Sequence, residues 1–394
     1  MGRAKEWMLI QQERGYSETG GDICPACVSD YALADWIRAN ASATRCSFCG
    51  AEAEEPIAAS LDEFIGVVLN GIFFDWNDPD NEGIAYEGGY IADLSQTRDV
   101  LGEYEISHDQ AVVDAVADAV SIEVWVERGF YRGNDSQQLN WGWDSFKDFT
   151  KNQTRYFFLH RDEDGDDDGD LTPAELLAAF ANVLKSQLTE LIKVVTPATD
   201  LVRVRIGGEP HTSARAIGAP EREFATQSNR MSPAGIPMFY GAFDFETAYA
   251  ETYDANLHAG GVISTGSFRA VRDLNVLDLA ELPYIPSVFD NERREVIHFL
   301  RFLHSFANDI SMPIARDGRE HIEYVPTQIV TEYFRRVFRT GNGSALDGIV
   351  YRSSRNPDGR AFVLFCENRE CIDPDDEASH DALLRLVNVT HRAC

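Results

Sequence analysis

Apolar residues recur at helical spacing in several stretches of the chain. Ser60-Leu61-Asp62-Glu63 has the form of a capping box, and Leu61, Phe64, Ile65, Val68, Leu69, Ile72 and Phe73 follow it on one face. This pattern predicts a helix. A second helix is predicted through Val112, Val113, Val116 and Val120. Thr172-Pro173-Ala174-Glu175 is a further capping box, with Pro at the first helical position. The helix it opens carries Leu176, Leu177, Phe180, Val183, Leu184, Leu188, Leu191 and Ile192 on one face and is expected to stop at Thr196-Pro197. A polar, Gly-containing stretch from Asp75 to Gly89 reads as loop. Beyond about residue 198 the period changes. Short β-like runs occupy 201–206, 238–243, 262–271, 348–352 and 361–366. Two helical stretches intervene, one through Val296, Ile297, Phe299, Leu300, Leu303 and Phe306, the other through Ile329, Val330, Tyr333, Phe334 and Val337. Strands and helices without strict alternation predict an α+β fold with a mixed C-terminal sheet.

The chain has 394 residues, of which 44% are hydrophobic, enough to bury a core without disulfide staples and to form two or three domains. Its longest apolar runs, such as Ile65 to Phe74, fall short of the roughly 20 residues that span a bilayer. Met1-Gly2-Arg3-Ala4-Lys5-Glu6 leads into mixed polar sequence rather than an apolar core of a signal peptide. No membrane partner and a cytoplasmic location are therefore expected. The formal charge of −30 repels phosphate backbones, so nucleic acid is not the expected partner. Nearly all cations are Arg, which grips phosphate and carboxylate bidentately.

Cys24-Pro-Ala-Cys27 and Cys46-Ser-Phe-Cys49 are two thiolate knuckles separated by eighteen residues. Such a pair converges on one tetrahedral zinc, and four sulfur corners make a closed, structural site. Residues 1–55 are thus expected to form a zinc-ribbon-like unit with a short helix between Asp30 and Asn40, 56–197 a mainly helical domain, and 198–394 the α+β domain. Cys366, Cys371 and Cys394 read as spare reduced thiols.

Asp164 to Glu175 fits the twelve-residue loop of an EF-hand. Asp164, Asp166 and Asp168 take the first, third and fifth places, Gly169 the turn, Asp170 follows, and Glu175 is the bidentate twelfth. Calcium is the ion such a loop takes. The competing reading is a solvated acidic loop whose last residues cap the next helix, because the segment before it reads as easily as a strand. Arg155 and His160 have the Arg-x4-His spacing of HEPN ribonucleases, but no basic surface surrounds them.

Leu201-Val202-Arg203-Val204-Arg205 sets two arginines on one side of a predicted strand. Further on come Asn229-Arg230-Met231-Ser232, Met238-Phe239-Tyr240-Gly241-Ala242, Thr247-Ala248-Tyr249-Ala250-Glu251-Thr252, Tyr324-Val325-Pro326-Thr327-Gln328 and Asp347-Gly348-Ile349-Val350-Tyr351-Arg352-Ser353-Ser354. In order, residue type and spacing these segments resemble the RES domain family over about residues 198–375. The N-terminal part is similar to the HEPN/RES N-terminal region that precedes RES domains in longer members. The resemblance implies a fold similar to ADP-ribosyltransferase toxins and the activity of a bacterial toxin that degrades NAD, by phosphorolysis, hydrolysis or transfer. Carried over by position, Arg203 is the first arginine, Arg230 the second, Tyr240 the tyrosine, Glu251 the glutamate and Ser353 the serine. Val202 stands where the family has an aromatic, and Arg205 can take the place of Arg203 if the register shifts.

The chemistry that the resemblance implies fits these assignments. Cleaving the nicotinamide–ribose bond builds positive charge on the ribose, and Glu251 is the carboxylate to stabilise it. Arg203 and Arg230 suit the diphosphate of NAD, with inorganic phosphate as a co-substrate. Tyr240 can stack on nicotinamide or line its pocket, and Ser353 can donate to phosphate or ribose. Gly207-Gly208 is too short for a dinucleotide fingerprint, so NAD is expected as substrate rather than recycled cofactor. An NAD-destroying enzyme needs restraint, which makes an antitoxin or a trigger protein the expected partner. The rival readings are a partner-binding regulatory protein whose RES half is silent, and a protein ADP-ribosyltransferase.

Overall fold

The computed structural model describes residues 14–130, 132–155, 171–258, 260–312 and 318–394. Helices and strands are mixed along the chain, and the C-terminal strands join one sheet, so the fold is α+β. No described helix is long and apolar enough to cross a membrane. Two compact units divide the chain: residues up to Gln138 with Tyr284–Leu300, and Leu139–Pro283 with Arg301–Cys394.

In the first unit, α1 (Tyr31–Ala39) begins where the Asp30 carboxylate accepts from the N–H groups of Ala32 and Leu33, at 2.8 and 3.1 Å. Two of the otherwise orphaned donors of the first turn are thereby satisfied. α2 (Leu61–Ile72) has the expected apolar face, with Phe64, Ile65 and Val68 fully buried. Its capping box does not form, because the Ser60 side chain makes no cap bond. Asp62 accepts instead from the N–H and hydroxyl of Thr19, at 2.8 and 3.1 Å. α3 (Gln110–Ala119) starts at Asp109, whose carboxylate accepts from Ala111 N–H. These faces close on Val100, Leu101 and Trp125, and Val288, Phe289 and Ile297 return from far along the chain to the same core. The stretch read as loop after Asp75 holds two-residue strands, one of which, Trp76–Asn77, pairs with Val126 and Glu127.

The second unit is built on a nine-stranded sheet of β1 (Ile192–Val195), β2 (Leu201–Gly207), β3 (Phe239–Ala242), β4 (Val262–Ala270), β5 (Leu274–Asp278), β6 (Gly348–Arg352), β7 (Arg360–Leu364), β8 (Cys371–Ile372) and β9 (Leu384–Ala393). The spatial order is β8-β9-β4-β2-β3-β7-β6-β5-β1. Only β8–β9 and β5–β6 are parallel. Besides the helix Asp135–Asp148, in this unit from Leu139, its longer helices are α4 (Pro173–Ser186), α5 (Phe245–Thr252), α6 (Ile297–Ser311, in this unit from Arg301) and α7 (Val325–Arg336).

In this unit α4 departs from the sequence reading. α4 starts as expected, with a reciprocal box between Thr172 and Glu175. It ends at Ser186, however, and residues from Ile192 extend as β1 along β5. Ladder hydrogen bonds to a distant strand override local helical periodicity. Leu139–Pro283 lies in one compact unit. Phe180 on α4 meets Phe302, Phe306 and Phe334 edge-on, with ring centroids 5.3, 5.0 and 6.0 Å apart. The helix and the strand after it therefore belong with the sheet.

Candidate active site

A cavity of about 1220 Å³ opens in the second unit. Arg203, Arg205, Arg230, Tyr240 and Glu251 all line it, although 48 residues of chain separate the first from the last. Alternation along β2 puts Arg203 and Arg205 on one face. Arg203 donates from Nε to Ile217 O (2.8 Å) and from Nη1 to Tyr240 O (2.5 Å), with its guanidinium 5.0 Å from the Phe239 ring centre. Arg205 donates from Nη2 to Gly218 O at 3.0 Å. Burial, and then the neighbouring Arg205, push Arg203 down to about 9, so it is still charged at neutral pH. Burial also lowers Arg205. Two like charges held this close are relieved by an anion between them.

Glu251 sits at the end of α5, and that helix is fixed at both ends. Asp244 accepts from Thr247 N–H (2.7 Å) at the start. Arg355 donates to Tyr253 O (2.7 Å) at the finish. The turn between β6 and β7 is threaded against it: Asn356 Nδ2 donates to Thr247 Oγ1 at 2.8 Å. A Cβ on Gly359 would lie 2.2 Å from that same oxygen, so only glycine fits there. The same turn supplies Ser353, which is 5% exposed and does not line the cavity. Its hydroxyl donates to Glu251 Oε1 at 2.5 Å. In this structure the Ser353 proton is directed at the Glu251 carboxylate, which lines the cavity.

Arg230 rides on a loop that α7 holds. Gln328, buried, donates from Nε2 to Asn229 O (2.7 Å), Ser228 Oγ (2.8 Å) and Ser232 O (3.2 Å). Thr327 donates to Arg230 O at 2.5 Å. The guanidinium itself donates to Ile310 O. The segment Tyr324–Gln328, quoted from the sequence without a role, therefore fixes the second arginine. Tyr240 is half-buried, its hydroxyl 2.9 Å from Ser232 Oγ, and burial raises its pKa. Sequence reasoning missed other wall residues, namely His211, Tyr351 and Phe224. Burial and Arg205 lower His211. Burial, then the Glu251 charge, raises Tyr351 well above the usual range. His211 and Phe224 lie in no short pattern with a recognisable spacing, whereas Tyr351 belongs to the Asp347–Ser354 segment, which assigns it no role of its own.

His160, Asp164, Asp166, Asp168 and Asp170 lie outside the described residues. Of that acidic run Glu175 is described, and its carboxylate accepts from the N–H and hydroxyl of Thr172, at 2.9 and 2.7 Å. That is the helix-capping alternative to a calcium ligand.

In the first unit the sulfurs of Cys24, Cys27, Cys46 and Cys49 lie within 4.8 Å of one another. Separations of 3.8, 3.6 and 3.7 Å join Cys24–Cys27, Cys24–Cys49 and Cys27–Cys46. A tetrahedron with metal–sulfur arms of about 2.3 Å has edges of about 3.8 Å, so the four thiols fit a metal such as zinc. Burial raises the Cys46 thiol, but backbone N–H groups of Cys49 and Phe48 overcome this and bring it to about 7.

Residues 39–164 match the family model of HEPN/RES N-terminal domain 1, and residues 200–385 match that of the RES domain. Comparison with curated proteins and with solved structures gives no match. RES domains are associated with NAD-acting enzymes and toxins. The chain therefore carries a RES domain, with a HEPN/RES N-terminal domain ahead of it.

Proposed function

We propose that this chain cleaves the bond between nicotinamide and ribose in NAD, by phosphorolysis or, where water replaces phosphate, by hydrolysis, as the toxin of a toxin–antitoxin or defence system. The observation that carries the reading is a carboxylate, Glu251, oriented by Ser353 at the wall of a cavity that also presents Arg203, Arg205 and Arg230. In the reaction the C1′–N bond breaks and its electron pair leaves with nicotinamide, which becomes neutral. Positive charge builds on the ribose, where the Glu251 carboxylate offsets it. An oxygen of phosphate or water forms the new bond at C1′. The guanidinium groups take the diphosphate, and the Tyr240 ring takes the nicotinamide side. In this reading the sheet corresponds to that of ADP-ribosyltransferase toxins, the four cysteines hold a structural zinc, and a separate antitoxin or trigger protein restrains the activity.

The test is product analysis after incubation with NAD, with and without phosphate. Release of nicotinamide is expected, and Glu251→Gln is expected to slow it at least about 100-fold, the scale of losing one preorganised charge at a developing ion. A variant as active as the parent would remove Glu251 from the chemistry. Phosphorylated ADP-ribose as product selects phosphorolysis, and free ADP-ribose selects hydrolysis.

A further inference from the structure

Among the described residues of the cavity wall, one apolar ring stands open to solvent; the only other exposed ring there is the imidazole of His321. Phe224 is 68% exposed and lines the same cavity as Arg203 and Glu251. The lining phenol rings, Tyr240, Tyr324 and Tyr351, are half-buried or buried. A bare phenyl face in water is unfavourable, and a flat ring laid over it removes apolar surface from water.

The support under Phe224 is anchored on both sides. Phe224 ends a short turn, Arg222–Phe224, whose closing N–H groups, those of Phe224 and Ala225, both donate to Glu221 O at 3.0 Å. Arg222 donates to both carboxylate oxygens of Glu367, each at 2.9 Å. The Glu221 carboxylate accepts from Arg215 Nε at 2.5 Å. Gly235 N–H donates to Ala225 O at 2.6 Å, which draws Ile236 and Pro237 alongside; both line the cavity. The ring is thus presented with apolar neighbours on a turn that does not have to be ordered when a ligand arrives.

We infer that Phe224 is the stacking platform for the purine ring of the dinucleotide. This rests on the reading of NAD as substrate. NAD carries two heterocycles joined through a diphosphate. Nicotinamide belongs where the bond breaks, at Glu251, and the diphosphate belongs at the guanidinium groups. Adenine then needs an open π-face on the same wall, and Phe224 offers it. Stacking uses the face of the base and not its hydrogen-bonding edge, so this contact supplies affinity for any purine.

Calorimetry with ADP-ribose tests the inference, because this probe keeps the adenine and diphosphate and lacks nicotinamide. The intact chain is expected to bind it. Phe224→Ala is expected to bind about tenfold more weakly, and Phe224→Tyr, which keeps the ring, to stay within about twofold of the parent. Equal affinity in Phe224→Ala overturns the inference. So does a Phe224→Tyr as weak as the alanine variant, which would assign the loss to the turn. Absence of binding by the parent overturns it too. Nicotinamide release is read separately: a parent that releases none from NAD, yet binds ADP-ribose in a Phe224-dependent way, removes the cleavage reading and keeps the platform.

Discussion

A serine hydroxyl has one proton and two lone pairs, and at Ser353 all three are committed. The N–H groups of Arg355 and Asn356 donate to its oxygen, at 3.2 and 3.0 Å, which leaves the proton to point at Glu251. The carboxylate is therefore held in one orientation before substrate arrives. Removing that donor by Ser353→Ala is expected to lower kcat for nicotinamide release by about 10–100-fold with KM within about twofold, since a hydrogen bond to a charged group contributes roughly 1.5–3 kcal/mol. A rise in KM at unchanged kcat would show that Ser353 serves binding instead. At this scale the sequence was legible where residue order and type carry the signal: Arg203, Arg230, Tyr240 and Glu251 face one cavity. The partner of Ser353 was not legible. It lies 102 positions away and is set by the packing of a turn against α5, which no local pattern encodes.

Elements were legible in proportion to how local their causes are. α2, with a full apolar face, and the start of α4, with its Thr172–Glu175 box, follow from neighbours within a few residues. β9 does not. Most of Leu384–Ala393 is exposed, and its alternation is broken into two short pieces, Leu384-Arg385-Leu386 and Asn388-Val389-Thr390, by a bulge at Val387. Its identity comes from a long antiparallel ladder with β4. The Cys knuckles are the opposite case, because ligand spacing is itself the signal. Metal analysis of the purified chain is expected to find about one zinc per molecule, absent in Cys46→Ser. The metal-free protein is expected to lose the thermal stability of its first unit, because metal-binding free energy in such sites is folding free energy. Metal-free parent protein with an unchanged melting profile would count against a structural metal.

The whole molecule poses an electrostatic problem for an anionic substrate. The chain carries −30 overall, yet the cavity wall gathers Arg203, Arg205, Arg230 and Arg355 against only Glu251 and Glu320 among its described residues. Substrate thus crosses a repulsive outer field to reach a local cationic well. The two act over different ranges. At 0.01 M salt the screening length is roughly 30 Å, so the charge of the entire surface is felt; at 0.15 M it is roughly 8 Å, and only the wall groups remain. Half-buried guanidinium groups in contact with a diphosphate are screened last. Raising salt between these limits is therefore expected to lower KM for NAD by about two- to fivefold, and salt well above 0.15 M to raise it again. The nicotinamide-release assay across a salt series checks this directly. A KM that climbs steadily from the lowest salt would mean that attraction by the wall dominates at every range, and that the acidic surface is irrelevant to substrate capture.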